Sequence, residues 1–289
     1  MWPVNLRFPP SNVAHRRQVS LLLRVVLHLA KLSPSRLLGG RLSMTPTNVL
    51  TSPDAQRTSP IDTNGEVAVF LLADISRQHR LWGYARFVLQ RFTMRSVPGL
   101  VFSKVMGSGY DGGFGIKPSA SRQALFCLFV NEAAADKFLA SPVTKSYAVR
   151  SVEFCTAKLR AYSCKGTWAG RSIAVTAHAP ADGPIATLTR ASIRPTSARQ
   201  FWRMQPASEV SLSQAKGCLL ATGVGEAPFF RQATFSLWTS VDAMDAYARS
   251  GAHLAAIKAA YNGAFFSESM FARFVPCQLS GSWRGHHYG

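Results

Sequence analysis

The residue in this chain best placed for chemistry is His253. It lies in a helical stretch from Asp242 to Tyr261, with Leu254, Ile257 and Ala260 as apolar neighbours. Gly251 and Ala252 just before it leave room for a flat group to approach closely. A neutral imidazole in such a setting can be the axial ligand of a haem iron. The plainer reading is a hydrogen-bonded histidine at a helix break, since histidine is often half-buried without function. The other six are less suited: His15 and His28 in the leader, His79 opening a helix, His178 in a linker, and His286 and His287 at an unrestrained C-terminus.

Around His253 the sequence supplies cations and aromatics. Arg190, Arg194, Arg231 and Lys258 can pair with propionates. Phe201, Trp202, Phe235 and Trp238 are either core or the lining of a long apolar pocket. Other chemistries lack their parts. There is no G-x-S-x-G elbow and no G-K-[ST]. Gly107 to Gly112 matches G-x-G-x-x-G, but Gly113 to Pro118 follow where a nucleotide fold needs a helix to offer its N-terminus to the pyrophosphate. The match reads as a long hairpin loop, or as a flap over a pocket. Five cysteines with no C-x-x-C pair argue against a zinc site or a disulfide framework, and for a reducing compartment. Cys127 alternates with apolar residues and belongs to a core.

The charge is +19, from 33 basic and 14 acidic residues. Such a field attracts nucleic acid, an anionic membrane face, or propionate and phosphate groups. An RNA-binding sheet of the RRM type needs exposed aromatics and an RNP1 consensus, and neither is legible, so nucleic acid is not the expected partner. Hydrophobic residues make up 47%, enough for a core and too many for a wholly disordered chain.

Residues 1–62 form a basic leader with eight Lys and Arg and a single acid before residue 60. Within it, Arg17, Arg24, His28 and Lys31 share one face of an amphipathic helix that can lie on an anionic bilayer. The plainer reading is a disordered tail, or sequence upstream of a start at Met44.

From residue 65 the chain repeats itself. Val67–Ser76 aligns with Ile185–Arg194, Gly99–Gly109 with Gly217–Ala227, Arg122–Phe129 with Arg231–Trp238, and Asn131–Phe138 with Ser240–Tyr247. Both halves close on the same motif, Gly166-Thr167-Trp168 and Gly281-Ser282-Trp283. Each half reads strand, helix, strand, strand, helix, strand, with Asn131 and Ser240 as N-caps of the second helices. The expected fold is α+β, a tandem duplication of a ferredoxin-like βαββαβ unit of the dimeric α+β barrel type. Its parts are the leader, a first repeat at 63–170, a linker at 171–183 and a second repeat at 184–285 with the candidate haem site. Helices covering one face of each sheet leave the other face to be buried sheet to sheet. A cavity is expected between sheet and helix, or between the two sheets. The pair Arg122-Gln123 and Arg231-Gln232 occurs in both copies, which suggests a structural role such as fixing a strand edge.

Several of these blocks resemble the spheroidene monooxygenase family of bacterial carotenoid biosynthesis. They are Met106–Gly109, Gly166–Gly170, Ala186–Pro195, Gly223–Phe229, Gln232–Trp238 and Gly251–Ile257. The likeness spans roughly residues 66–284 and leaves out the leader. It implies a haem-dependent monooxygenase that uses O2 to oxidise C-2 of an acyclic carotenoid, with haem b as cofactor and reduced ferredoxin as electron donor. It implies His253 as axial ligand, since related α+β barrel haem families carry theirs on a helix of the second repeat. A cytoplasmic protein with room for peripheral contact with the inner membrane fits both the apolar substrate and the basic leader. The rival reading is a non-catalytic or cofactor-free barrel that binds an apolar ligand.

Overall fold

A computed structural model describes residues 65–110, 117–203, 212, 214–227, 229–249 and 265–289. The chain divides into two units, Met1–Arg57 and Thr58–Gly289, and every described residue lies in the second.

The first half runs β1 (Val67–Ile75), α1 (Arg80–Thr93), β2 (Leu100–Gly109), β3 (Pro118–Phe129), α2 (Glu132–Leu139), α3 (Pro142–Ala148) and β4 (Ser151–Gly166). The second runs β5 (Ile185–Ile193), a helical segment at 198–203, β6 (Cys218–Ala227), β7 (Arg231–Trp238), α4 (Val241–Ala248), β8 (Phe266–Trp283) and the short β9 (His286–Tyr288). Asn131 and Ser240 cap α2 and α4, their side chains accepting from the amides of Ala134 and Ala243.

All pairings are antiparallel, in the order β4-β1-β3-β2-β6-β7-β5-β8-β9, and β4 also pairs with β8. The first eight strands therefore close into a barrel, and the fold is α+β with few helices. The halves share one register. Val67 faces Phe129 as Ile185 faces Trp238, and Gly107 faces Gln123 as Gly225 faces Gln232. The irregularities repeat too, at Leu100/Phe102 and Cys218/Leu220, and at Asp74/Ile75 and Ser192/Ile193.

Sheet-to-sheet packing is thus replaced by edge-to-edge closure. The reason lies in the outer strands. β4 and β8 are 16 and 18 residues long. Unpaired, each would present a row of open N–H and C=O groups. They pair with each other from Cys155 opposite Gly281 to Gly166 opposite Met270. On the other seam Ser108 pairs with Val224, and its hydroxyl donates to the Gly223 carbonyl at 2.7 Å.

Three cores follow from the two-residue alternation of the strands. Inside the barrel lie Phe70, Phe126, Leu128, Leu188, Phe235 and Phe274, drawn from both halves. On the outside of the first half, Val67, Val69, Leu71, Leu125, Cys127 and Phe129 pack under α1, α2 and α3. On the outside of the second half, Ile185, Leu212, Trp238 and Met244 form a smaller core. β1 is apolar from Val67 to Ala73 because both of its faces are covered.

The repeated Gly-x-Trp motifs plug the barrel. Gly166 and Gly281 have φ of 82° and 100°, and a Cβ on either would sit 2.1 Å from a carbonyl oxygen, that of Ser269 or of Phe154. Only glycine allows this close crossing of β4 and β8. Each crossing turns its tryptophan, Trp168 or Trp283, into the interior, where both are buried.

Two further expectations are corrected. The C-terminus is held: β9 pairs with Gly281–Trp283, and the Tyr288 hydroxyl donates to the Leu219 carbonyl at 3.0 Å. His286 and His287 are therefore strand residues, placed by an aromatic anchor two positions later. The second helix of the first half is broken in two at Ser141-Pro142, because proline cannot continue a helix and serine caps the next one.

Candidate functional site

The barrel interior is one candidate for a ligand chamber, and it is filled. Phe70 of the first half stacks on Phe235 of the second, with centroids 4.0 Å apart and planes within 9°. Phe126 lies between Phe102 and Trp168. The space left beside Trp168 is about 160 Å³, lined by Phe102, Phe126, Leu128, Trp168, Arg171, Ile173 and Met270. That space includes open solvent and has no room for even a water-sized sphere, so neither a polyene nor a macrocycle fits there.

The mouth beside Trp168 is a charged knot. Lys104 binds Glu226 at 2.8 Å, and the Trp168 indole donates to the same carboxylate at 2.7 Å. Arg190 binds Glu268, approaches Glu226 at 3.8 Å and lies 5.8 Å over the Trp168 ring. Glu268 also accepts from the Thr167 hydroxyl and the Gly170 amide. Burial alone would raise the Glu268 pKa, but these donors, the Ala169 amide and Arg190 outweigh it and hold the carboxyl near 2. The knot is self-compensated, two cations with two anions. Its visible work is to seal the mouth and fix the 167–171 turn.

The outer face of the second half is different in kind. Its core partners, Ile185 on β5, Trp238 on β7 and Phe271 on β8, set which alternate residues point outward. By that alternation Thr187, Thr189 and Ala191 of β5 lie on this face, with Ser236 and Thr234 of β7 and Ala221 and Gly223 of β6. The aligned outer positions of the first half are Val69, Leu71, Ala73, Cys127 and Leu125, all buried. Thus large apolar side chains in one half are matched by hydroxyls and small residues in the other. Thr189, aligned with the fully buried Leu71, is exposed. The Thr187 and Ser236 hydroxyls are hydrogen-bonded at 2.8 Å, and the Trp238 indole donates to Ser236 at 2.9 Å. The hydroxyl pair is therefore held rigidly, with Tyr247 packed on Trp238 at 5.3 Å.

At one edge of this half stands an aromatic group. Phe201 contacts Trp202 and Phe266, and Trp202 contacts Phe229 and donates to its carbonyl at 3.1 Å. Phe229 has a φ of 69°, a left-handed conformation unusual for a bulky residue, and it and Phe230 are exposed.

The expected site residues are distributed as follows. His253 and Lys258 lie outside the described residues, as does the 111–116 part of the glycine loop. Arg190 is in the charged knot, on the interior side of β5. The Arg194 side chain donates to the Phe266 carbonyl at 3.1 Å, and Arg231 is exposed at the start of β7. The four aromatics fall in three places: Phe201 and Trp202 in the edge group, Phe235 inside the barrel, and Trp238 on the outer face. Sequence reading does not single out Glu226 and Glu268, or the hydroxyl pair Thr187–Ser236. A signal was present for the pair: Thr187 and Ser236 replace Val69 and Cys127 at aligned positions.

In the first half Arg122 holds Asp74 and the Tyr110 carbonyl, while Gln123 donates to the Gly83 carbonyl. These contacts tie α1 and the β2–β3 hairpin to the sheet.

No protein-family profile matches the chain. It is 54% identical over 226 residues to the spheroidene monooxygenase of Rubrivivax gelatinosus, covering 78% of this chain and 88% of that protein. It is 34% identical over 209 residues to the spheroidene monooxygenase of Rhodobacter capsulatus, covering 71% and 87%. Among solved structures, an aldoxime dehydratase in complex with butyraldoxime covers 74% of this chain and 80% of that one, with a TM-score of 0.50 at 11% identity. That last likeness shows the fold alone.

Proposed function

The chain belongs to the spheroidene monooxygenase family, and from that premise we propose that this monooxygenase is haem-dependent and oxidises C-2 of an acyclic carotenoid with O2 and an external electron donor. The observation that carries the reading is the contrast between the two outer faces. Where the first half fills its sheet face with Val69, Leu71 and Leu125, the second offers Thr187, Thr189, Gly223 and Ser236. Hydroxyls and small side chains in place of Val69, Leu71 and Leu125 take up less room beside a flat group, which supports that reading.

In this reading His253 would hold haem b, with that face beside it. The bound iron supplies the activation of O2. The protein's own groups bind and orient. The Thr187–Ser236–Trp238 chain gives a fixed polar floor, because each hydroxyl is already positioned by a neighbour. Arg194, Arg231 and Lys258 are the cations left for propionates, since Arg190 is committed to Glu268 and Glu226. The edge group of Phe201, Trp202, Phe229 and Phe266 offers aromatic faces along which a polyene end can lie. Reduced ferredoxin is the proposed donor. We also take the halves as copies of one ferredoxin-like unit, a reading supported by their common register and irregularities.

The test is spectroscopic. The protein purified with haem supplementation should show a Soret band, and His253→Ala should shift or abolish it while the fold, read by far-UV circular dichroism, is retained. An unchanged band in His253→Ala overturns the ligand assignment. Cells expressing the protein and fed spheroidene should accumulate a 2-oxidised product, and its absence overturns the substrate.

A further inference from the structure

We propose that α1 is a membrane-docking helix, lying on an anionic bilayer with its outward apolar stripe in the headgroup region. At about 3.6 residues per turn, Leu81, Ala85, Val88, Leu89 and Phe92 fall on one side of α1, opposite the buried Gly83 and Gln90. Trp82 and Phe87 pack inward, against Tyr147 and beside Gly107, so this stripe is a second apolar side, where an ordinary surface helix is polar. Leu81 is 82% exposed, Leu89 53% and Phe92 48%. A run of exposed large apolar residues along one helix marks a contact surface.

Arginines border the stripe. Arg80 and Arg91 flank it on one side and Arg86 on the other, with Arg77 and Arg95 at its two ends. Arg91 and Arg95 both lie over the Phe92 ring, at 4.6 and 5.7 Å, and Arg86 lies over Trp82 at 5.6 Å. No acidic residue occurs between Asp74 and Asp111. An apolar stripe with a basic rim is what an interfacial helix needs: area for the acyl boundary and cations for anionic headgroups.

Charge also selects among occupants. A second copy docked across a two-fold axis would set Arg80, Arg86 and Arg91 against the same three residues. The leader of this chain is itself basic, with eight cations and one acid before residue 60. An anionic phospholipid surface is complementary to both the stripe and its rim. No helix among the described residues is long and apolar enough to cross a membrane, so the contact is one of lying on it.

This inference stands apart from the oxygenase reading, because vesicle binding is measured without haem or substrate. The experiment is co-sedimentation of the full chain with vesicles of mixed phosphatidylcholine and phosphatidylglycerol, against vesicles of phosphatidylcholine alone. Wild type should partition onto the anionic vesicles and release as salt rises. Arg80→Gln with Arg91→Gln should weaken partitioning by about fivefold for each arginine, about 25-fold together. Leu81→Gln with Leu89→Gln and Phe92→Gln should weaken it by about tenfold or more, since that apolar area no longer leaves water. All five positions are exposed, so the fold is retained, which circular dichroism checks. A leader variant, Arg17→Gln with Arg24→Gln and Lys31→Gln, separates the two basic segments. Binding that survives both α1 variants and is lost in the leader variant overturns the proposal. No binding of wild type to anionic vesicles also overturns it, in favour of an acidic protein partner.

Discussion

Replacing Arg190 by methionine separates two roles for one side chain, haem anchor or barrel clasp. The guanidinium is 4% exposed and serves Glu268 and Glu226, two carboxylates that are themselves mostly covered. Removing one partner of a buried pair costs about 3–5 kcal/mol when the other is left without compensation. Here compensation is partial. Glu226 keeps Lys104 and the Trp168 indole, and Glu268 keeps the Thr167 hydroxyl and the Gly170 amide. The methionine fills most of the vacated volume. The expected loss is therefore about 2–3 kcal/mol, below the full penalty. For a unit of this size that lowers Tm by roughly 4–12 °C.

The same substitution has a pH signature. The Glu268 carboxyl is held near 2, below its ordinary value of 4.5. A depressed acid stabilises the fold fully above the ordinary value, and that stability is lost as pH falls from about 4.5 toward 2. The full shift corresponds to about 3 kcal/mol. Glu268 keeps 23% of its side-chain surface in solvent, so screening reduces this to about 1–2 kcal/mol. In Arg190→Met the carboxyl moves up, and acid unfolding should begin at higher pH. Urea unfolding at neutral and acid pH, with haem titration beside it, reads both effects. Unchanged stability together with lost haem loading would refute the clasp and assign Arg190 to a propionate.

Other outcomes follow from the same structure. Phe235→Ala removes the ring stacked on Phe70 at the barrel centre and should cost about 3–5 kcal/mol in urea unfolding, with no new strain to offset it. Gly166→Ala and Gly281→Ala place a Cβ against a backbone carbonyl at a positive φ, and each should cost about 3 kcal/mol or more, seen as loss of soluble folded protein. Deleting residues 286–289 removes β9 and the Tyr288 hydrogen bond to Leu219, and should lower stability by about 1–2 kcal/mol while leaving the Soret band of the loaded protein in place.

Much of the architecture is written in local chemistry, which is why it was legible without coordinates. Alternation marks β3 and β7, asparagine and serine mark the starts of α2 and α4, and the repeated Gly-x-Trp marks the ends of the long strands, because each depends only on neighbours in the chain. The self-alignment at Val67 and Ile185 carried the register of both halves, since the aligned strands share their pairings and their bulges. What the sequence could not decide is which face of each strand looks inward once the sheet closes. Leu71 and Thr189 occupy aligned places, yet the first is buried and the second exposed. Arg190 reads as a free cation in the chain and becomes the clasp of Glu226 and Glu268 only when β5, β6 and β8 converge on Trp168. The outward stripe of α1 looks like an ordinary buried face until Gly83 and Gln90 are seen against the sheet. Closure of the barrel decided these matters, because burial and pairing of charges are properties of distant segments brought together, and no window along the chain contains them.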